Sequence, residues 1–134
     1  MVPEIDPSAL IVNASALVER FGRWPDFHDA EIVHIELNRP RVARDLQIKL
    51  AARSREKDER GHFQLENVTL VTFQFIGVAD LELGGFNHQN VIDDVHLEPA
   101  ADRINVTIDP IYGLGGAFSC DQAEIIEIRS LANS

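Results

Sequence analysis

From Glu31 onward the apolar residues of this 134-residue chain recur at every second position, and that alternation restricts most of it to a sheet. Glu31 to Leu37 sets Val33, Ile35 and Leu37 against Ile32, His34 and Glu36. Leu46, Ile48 and Leu50 alternate with Gln47 and Lys49, a strand with one wet face. His62 to Ile76 is the longest apolar stretch. There Val68, Leu70 and Ile76 share one face with Thr72 and Gln74, and Val71, Phe73 and Phe75 share the other with Thr69. Apolar groups on both faces predict a central strand. Asp80 to Gly85 predicts a short strand or turn. Val91, Val95 and Leu97 alternate with Ile92, Asp94 and His96, and Ile104, Val106 and Ile108 alternate with Asn105 and Thr107. Asp109-Pro110 is expected to stop that strand. Gly113-Leu114-Gly115-Gly116 reads as a turn, Phe118 and Cys120 share the face of a following strand, and Ile126 and Ile128 close the core.

Before this region the period is helical. Asp6-Pro7 offers a cap and a first-turn proline, and Leu10, Ile11, Ala14, Leu17, Val18 and Phe21 follow at helical spacing up to Gly22. The spacing predicts a helix over about 8–21, with Asn13 as a point of breakage, and a β region over about 30–130. Strands do not alternate with helices, so a parallel β-α-β sheet is not expected. The expected class is mostly β (α+β): an antiparallel sandwich or strongly curled sheet of about seven or eight strands, with one N-terminal helix, in a single domain over 1–134. A chain of this length buries roughly two-thirds of its unfolded surface and needs no metal or disulfide to fold.

Charge is unevenly placed. The net charge is −10; residues 1–60 hold 11 acids and 10 bases, whereas 61–134 hold 11 acids and only Arg103 and Arg129. The second half therefore carries −9 of the total. Such a balance disfavours a nucleic-acid backbone or an anionic membrane as partner. It serves solubility, or it steers a basic protein partner. Arg53 to Arg60 is charged at seven of eight positions and reads as a solvated hairpin tip or loop. Met1-Val2-Pro3-Glu4-Ile5-Asp6 lacks the basic start of a secretory signal, and no apolar run reaches a membrane span, so a cytoplasmic location is expected.

The densest polar cluster is Trp24-Pro25-Asp26-Phe27-His28-Asp29-Ala30-Glu31, followed by His34. One reading is structural: Trp24 and Phe27 anchor the chain, Pro25 fixes a turn, and His28 or Asp29 satisfies backbone amides. The other is a metal site or small-ligand site using His28, Asp29 and Glu31 with a distant His62, His88 or His96, as in a metal-dependent hydrolase. On a regular strand Glu31 points with Val33, and His34 points away from both. Cys120, the one cysteine, excludes an internal disulfide and reads as a small buried hydrophobe. No Gly-x-Ser-x-Gly elbow is present, and Gly113-x-Gly115-Gly116 lacks the lysine and helix of a phosphate loop. Phe86-Asn87-His88-Gln89-Asn90 reads as turn material rich in amides. No catalytic residue and no cofactor follow from these features.

Phe21-Gly22-Arg23-Trp24-Pro25-Asp26-Phe27-His28-Asp29-Ala30-Glu31 resembles the signature of immunity protein family 50, small bacterial proteins encoded beside polymorphic toxins. Phe86-Asn87-His88-Gln89-Asn90-Val91, Tyr112-Gly113 and Phe118-x-Cys120 are similar to that family's pattern too. The resemblance implies a mostly β binder that neutralises a toxin, not an enzyme, and supplies no binding residues. Charge alone ranks Asp93, Asp94, Glu98 and Asp102 as protein-binding candidates toward a basic toxin domain. On the strand pattern Asp94 and Glu98 share the polar face, and Asp93 points inward unless a bulge intervenes. A homodimer is a second partner compatible with this reading.

Overall fold

The computed structural model describes residues 7–25, 27–39, 41, 46–57 and 63–130, with side chains described outside 7, 55–57 and 63–67. Asp6, Asp26, Pro40 and His62, and the charged residues 58–60, lie outside the described residues. A 3₁₀ turn (Pro7–Leu10) leads to β1 (Ile11–Val12), α1 (Ala14–Phe21) and then β2 (Glu31–Asn38). There follow β3 (Gln47–Lys57), β4 (Phe63–Ile76), β5 (Ala79–Gly84), β6 (Val91–Ala100), β7 (Arg103–Tyr112), β8 (Gly115–Cys120) and β9 (Gln122–Ser130). They form one nine-stranded sheet in the order β1-β9-β4-β3-β2-β6-β7-β8-β5, open at both ends. All pairs are antiparallel except β1 with β9, so the sheet is mixed. Among the described residues no helix is long and apolar enough to cross a membrane.

The sheet folds back on itself. Its halves, β9-β4-β3-β2 and β6-β7-β8-β5, join at β2–β6 through one register pair, Glu31 with Val91. Backbone bonds from Ile32 N–H to Asn90 O (2.8 Å), Ile92 N–H to Ala30 O (2.9 Å) and Asp29 N–H to Ile92 O (2.9 Å) complete that seam. The apolar faces of both halves then pack on each other. Ile48, Leu50, Phe73 and Phe75 from one half share a core with Ile92, Leu97, Val106, Ile108 and Phe118 from the other. Trp24, Phe27, Phe73, Phe75 and Phe118 stand in series across this core, each ring centroid 5.0–6.0 Å from the next. Phe73 and Phe75 are stacked and the other contacts are edge-to-face; aromatic pairs in such arrangements add roughly 0.5–1.5 kcal/mol per pair beyond burial. The space left between Phe73, Phe75, Ile92 and Val106 is about 20 Å³, too small for a substrate.

Chain crossings between the halves are tied by side chains. Gly77, at φ 70°, follows β4, and a Cβ there would strike the Asp121 carboxylate. Arg103 donates from Nη2 to Gly77 O (2.7 Å), from Nη1 to Asp121 Oδ1 (2.6 Å) and from Nε to Ser119 Oγ (3.2 Å). α1 lies at the β1 end with Leu17 fully buried, and Arg20 donates to the buried Thr69 Oγ1 (3.1 Å).

Several sequence expectations change in the structure. The helix starts at Ala14, not near residue 8, because Asn13 takes a left-handed φ of 67° and the residues before it form the 3₁₀ turn and β1. Bulges shift the period-two phase in several strands, among them β2, β6 and β9. The extra residue Val33 lies between Ile32 and His34, so Ile32 joins Ile35 inward and Val33 is exposed. Asp93 is the extra residue of β6, which places Ile92 with Val95 and Leu97 on the inner face. Ile126 is the extra residue of β9; it is exposed, and Ile125 fills the core in its place. Pro110 does not end β7, which continues to Tyr112. Pairing with β8 stops at Ile108–Gly116, so Pro110 is paired with β6 alone, the kind of position where a missing donor is tolerated. Gly115 and Gly116 belong to β8, leaving Gly113-Leu114 as the turn. Arg53 to Lys57 extends β3 into its antiparallel pairing with β4, and the rest of that charged run lies outside the described residues; alternation turns the small Ser54 inward and Arg53 outward.

Candidate functional site

The 24–31 segment positions its side chains through backbone geometry. Phe27 and Asp29 both adopt left-handed φ values, 60° and 66°, which bury the Phe27 ring and leave His28 and Asp29 exposed. Ala30 N–H donates to Phe27 O (3.0 Å), closing the turn against the start of β2. His28 reaches across the seam: its Nδ1 donates to Asp93 O (3.0 Å), with the Asp93 carboxylate at 3.3 Å and Asp29 Oδ1 at 3.6 Å from Nε2. Glu31 turns elsewhere and pairs with Arg53 of β3. The Val33 bulge corrects the sequence reading here: Glu31 and His34 lie on the same outward face, opposite Arg53 and Ala51, and Glu31 is not set among core residues. The alternative ligand set of His28, Asp29 and Glu31 is therefore not brought to one point. Among the described residues no group of three or more His, Cys, Asp and Glu side chains converges to hold a metal ion.

The β6–β7 hairpin carries the acidic candidates. Its two-residue turn, Ala101-Asp102, exposes Asp102 and fixes the register Ala100–Arg103, Glu98–Asn105, His96–Thr107 and Asp94–Asp109. Asp94, His96 and Glu98 line the outward face, while Asp93 is put out to solvent by the bulge. His96 Nε2 stands 2.9 Å from Asp94 Oδ2 and 3.5 Å from Asp109 Oδ2, bridging two carboxylates directly opposite each other. Asp109 escapes a ranking by local charge. Counting outward from the 101–102 turn pairs it with Asp94, and that was the available signal. Beside this ribbon, the outer face of β8 forms a shallow groove of about 480 Å³, floored by Gly115 and Ala117 and bordered by Glu82 and Asp109.

A buried amide joins the loops at one end of the ribbon. Asn90 Oδ1 accepts from the backbone N–H of Asn87 (2.9 Å) and Leu114 (3.0 Å), and its Nδ2 donates to Asn87 O (2.8 Å). Gly113, at φ 79°, lies so close that a Cβ would strike Gln89 O and Asn90 Oδ1. The chemistry of Cys120 fits its surroundings: burial pushes its thiol up to about 11, the Arg103 charge opposes that, and the Asp121 charge adds a smaller raising. A thiol held that high is not a nucleophile near neutral pH.

An open, curled sheet with an acidic outward hairpin and a packed interior defines a small mostly β protein whose distinctive groups face solvent. The family model for immunity protein 50 matches residues 13–131, and the chain belongs to that family. No curated protein and no solved structure matches it.

Proposed function

We propose that this chain is a non-catalytic, cytoplasmic immunity protein that binds a basic toxin domain and neutralises it through the outward face of β6 and β7. Membership of the immunity protein 50 family supports a toxin as partner. The observation that carries the choice of surface is the alignment of Asp94 and Glu98 on one exposed face, with Asp93 put out by the bulge and Asp102 at the turn. Carboxylates so arranged steer a cationic partner and accept charge-assisted hydrogen bonds from it.

The test is binding of the toxin domain encoded beside this gene, followed over a range of salt concentrations. Asp94→Lys with Glu98→Lys is expected to weaken association at least about tenfold and to flatten its salt dependence. Unchanged binding by the double variant would remove this face from the interface. Failure of the wild-type chain to bind or neutralise that toxin would remove the function.

A further inference from the structure

Exposed apolar side chains are unevenly distributed over the described surface. Val12 and Ile126, on the paired strands β1 and β9, and Val33 and Leu37, on β2, are aliphatic. Phe86, Ile111 and Tyr112, by contrast, lie on two adjoining segments, with Phe86 51% and Tyr112 61% exposed. The segments meet where Gly85 packs on Gly113 O, and Asn90 bonds both of them. Two aromatic rings left in water, one on the loop after β5 and one at the end of β7, with Asn90 bonding residues near each, suit a binding surface. Tyrosine and phenylalanine carry large contact area, and a platform already held in place loses little entropy on docking.

The surroundings specify the partner's chemistry. Tyr112 stands opposite Val91, at the end of the outward face that carries Asp94 and Asp109. Arg103, the one arginine or lysine on β6 and β7, is engaged by Asp121, Ser119 and Gly77 O. An arginine or lysine side chain approaching this end meets aromatic faces and carboxylates together, a combination favourable to guanidinium. We propose that Phe86 and Tyr112 form the apolar anchor of the interface, seated on an arginine-bearing segment of the toxin, with the β6–β7 carboxylates as its charged rim. The inference rests on the immunity reading and assigns it a division of labour: the acids set the association rate, and the rings set the residence time.

The experiment measures binding kinetics of an active-site-inactivated form of the toxin domain encoded beside this gene. Wild type, Phe86→Ala, Tyr112→Ala and the control Leu37→Ala, altered at another exposed apolar residue, are compared. Each aromatic variant should lose at least about tenfold in affinity, mainly through faster dissociation, with an unaltered salt slope. Leu37→Ala should stay within about twofold, in the range of an energetically neutral site. Hydrogen exchange on the wild-type complex, which requires no variant, should show protection at 85–90 and 110–114. Wild-type binding with both aromatic variants within twofold, or protection confined to other strands, overturns the anchor while leaving the immunity reading intact. Absence of wild-type binding overturns the reading beneath it. A wild-type dimer in light scattering that Tyr112→Ala dissolves would assign the rings to a second copy and also overturn the proposal.

Discussion

Replacing Asn90 tests whether the braced loops depend on one buried amide. The side chain is 3% exposed and makes three hydrogen bonds, to Asn87 N–H, Leu114 N–H and Asn87 O. At about 1 kcal/mol net per bond, Asn90→Ala should lose about 3 kcal/mol, because Leu114 N–H is buried and gains no water in exchange. For a chain of this size that corresponds to a fall in Tm of about 10 °C. Asn90→Asp separates the contributions. Its carboxylate can still accept from both N–H groups, but the other oxygen then faces Asn87 O with no proton between them. The folded state therefore holds the proton more tightly than the unfolded chain, whose carboxyl titrates near ~3.9. A folded pKa raised above the unfolded one gives stability that is present at low pH and lost as pH rises through the folded pKa. Urea unfolding followed by circular dichroism at pH 4 and pH 7, each against wild type at the same pH, measures this. Asn90→Asp should recover part of its deficit at pH 4, and Asn90→Ala should not. A loss below about 1 kcal/mol for Asn90→Ala, or an Asn90→Asp deficit equal at both pH values, would refute the argument.

Two further outcomes follow from the core and the crossings. Cys120 is raised from 9.0 to about 11, so the folded state retains a proton that the unfolded state releases. Stability relative to Cys120→Ala should be independent of pH below 9 and fall by about 3 kcal/mol as pH rises from 9 to 11, at about 1.4 kcal/mol per unit; urea titrations across that range would show it, and a flat difference would contradict it. Arg103→Leu removes the fork that holds Gly77 O, Ser119 Oγ and Asp121 together, and should cost about 1–3 kcal/mol in thermal or urea unfolding, with Arg103→Lys recovering only part of it.

The alternation that predicted strands was legible wherever a strand ran without interruption: Ile48 and Leu50, Phe73 and Phe75, and Ile104, Val106 and Ile108 all face the core. It misplaced the phase at Val33 and Ile126, because one unpaired residue reverses every assignment beyond it and carries no composition of its own. β1 is two residues long and pairs with the distant β9, below the reach of any periodic signal. The Asp93 bulge was foreseeable only as a condition, since an aspartate on an apolar face requires one. Of the proposed acidic surface, the sequence offered the charges of Asp93, Asp94, Glu98 and Asp102 and the shared polar face of Asp94 and Glu98. Local charge did not rank Asp109, whose place opposite Asp94 follows from the hairpin register, and no local pattern brings Phe86 near the end of β7, because those segments are far apart in sequence.

Apart from Arg103, which ties Gly77, Ser119 and Asp121 together, the outward residues of β6 and β7 take no part in the packing that their inward neighbours Leu97, Val106 and Ile108 supply. Exchange of surface residues of that kind usually shifts stability by no more than about 0.5 kcal/mol. The hairpin is thus a place where sequence can drift quickly without unfolding the protein, so a lineage could acquire a new adversary-specific surface while inheriting an old interior.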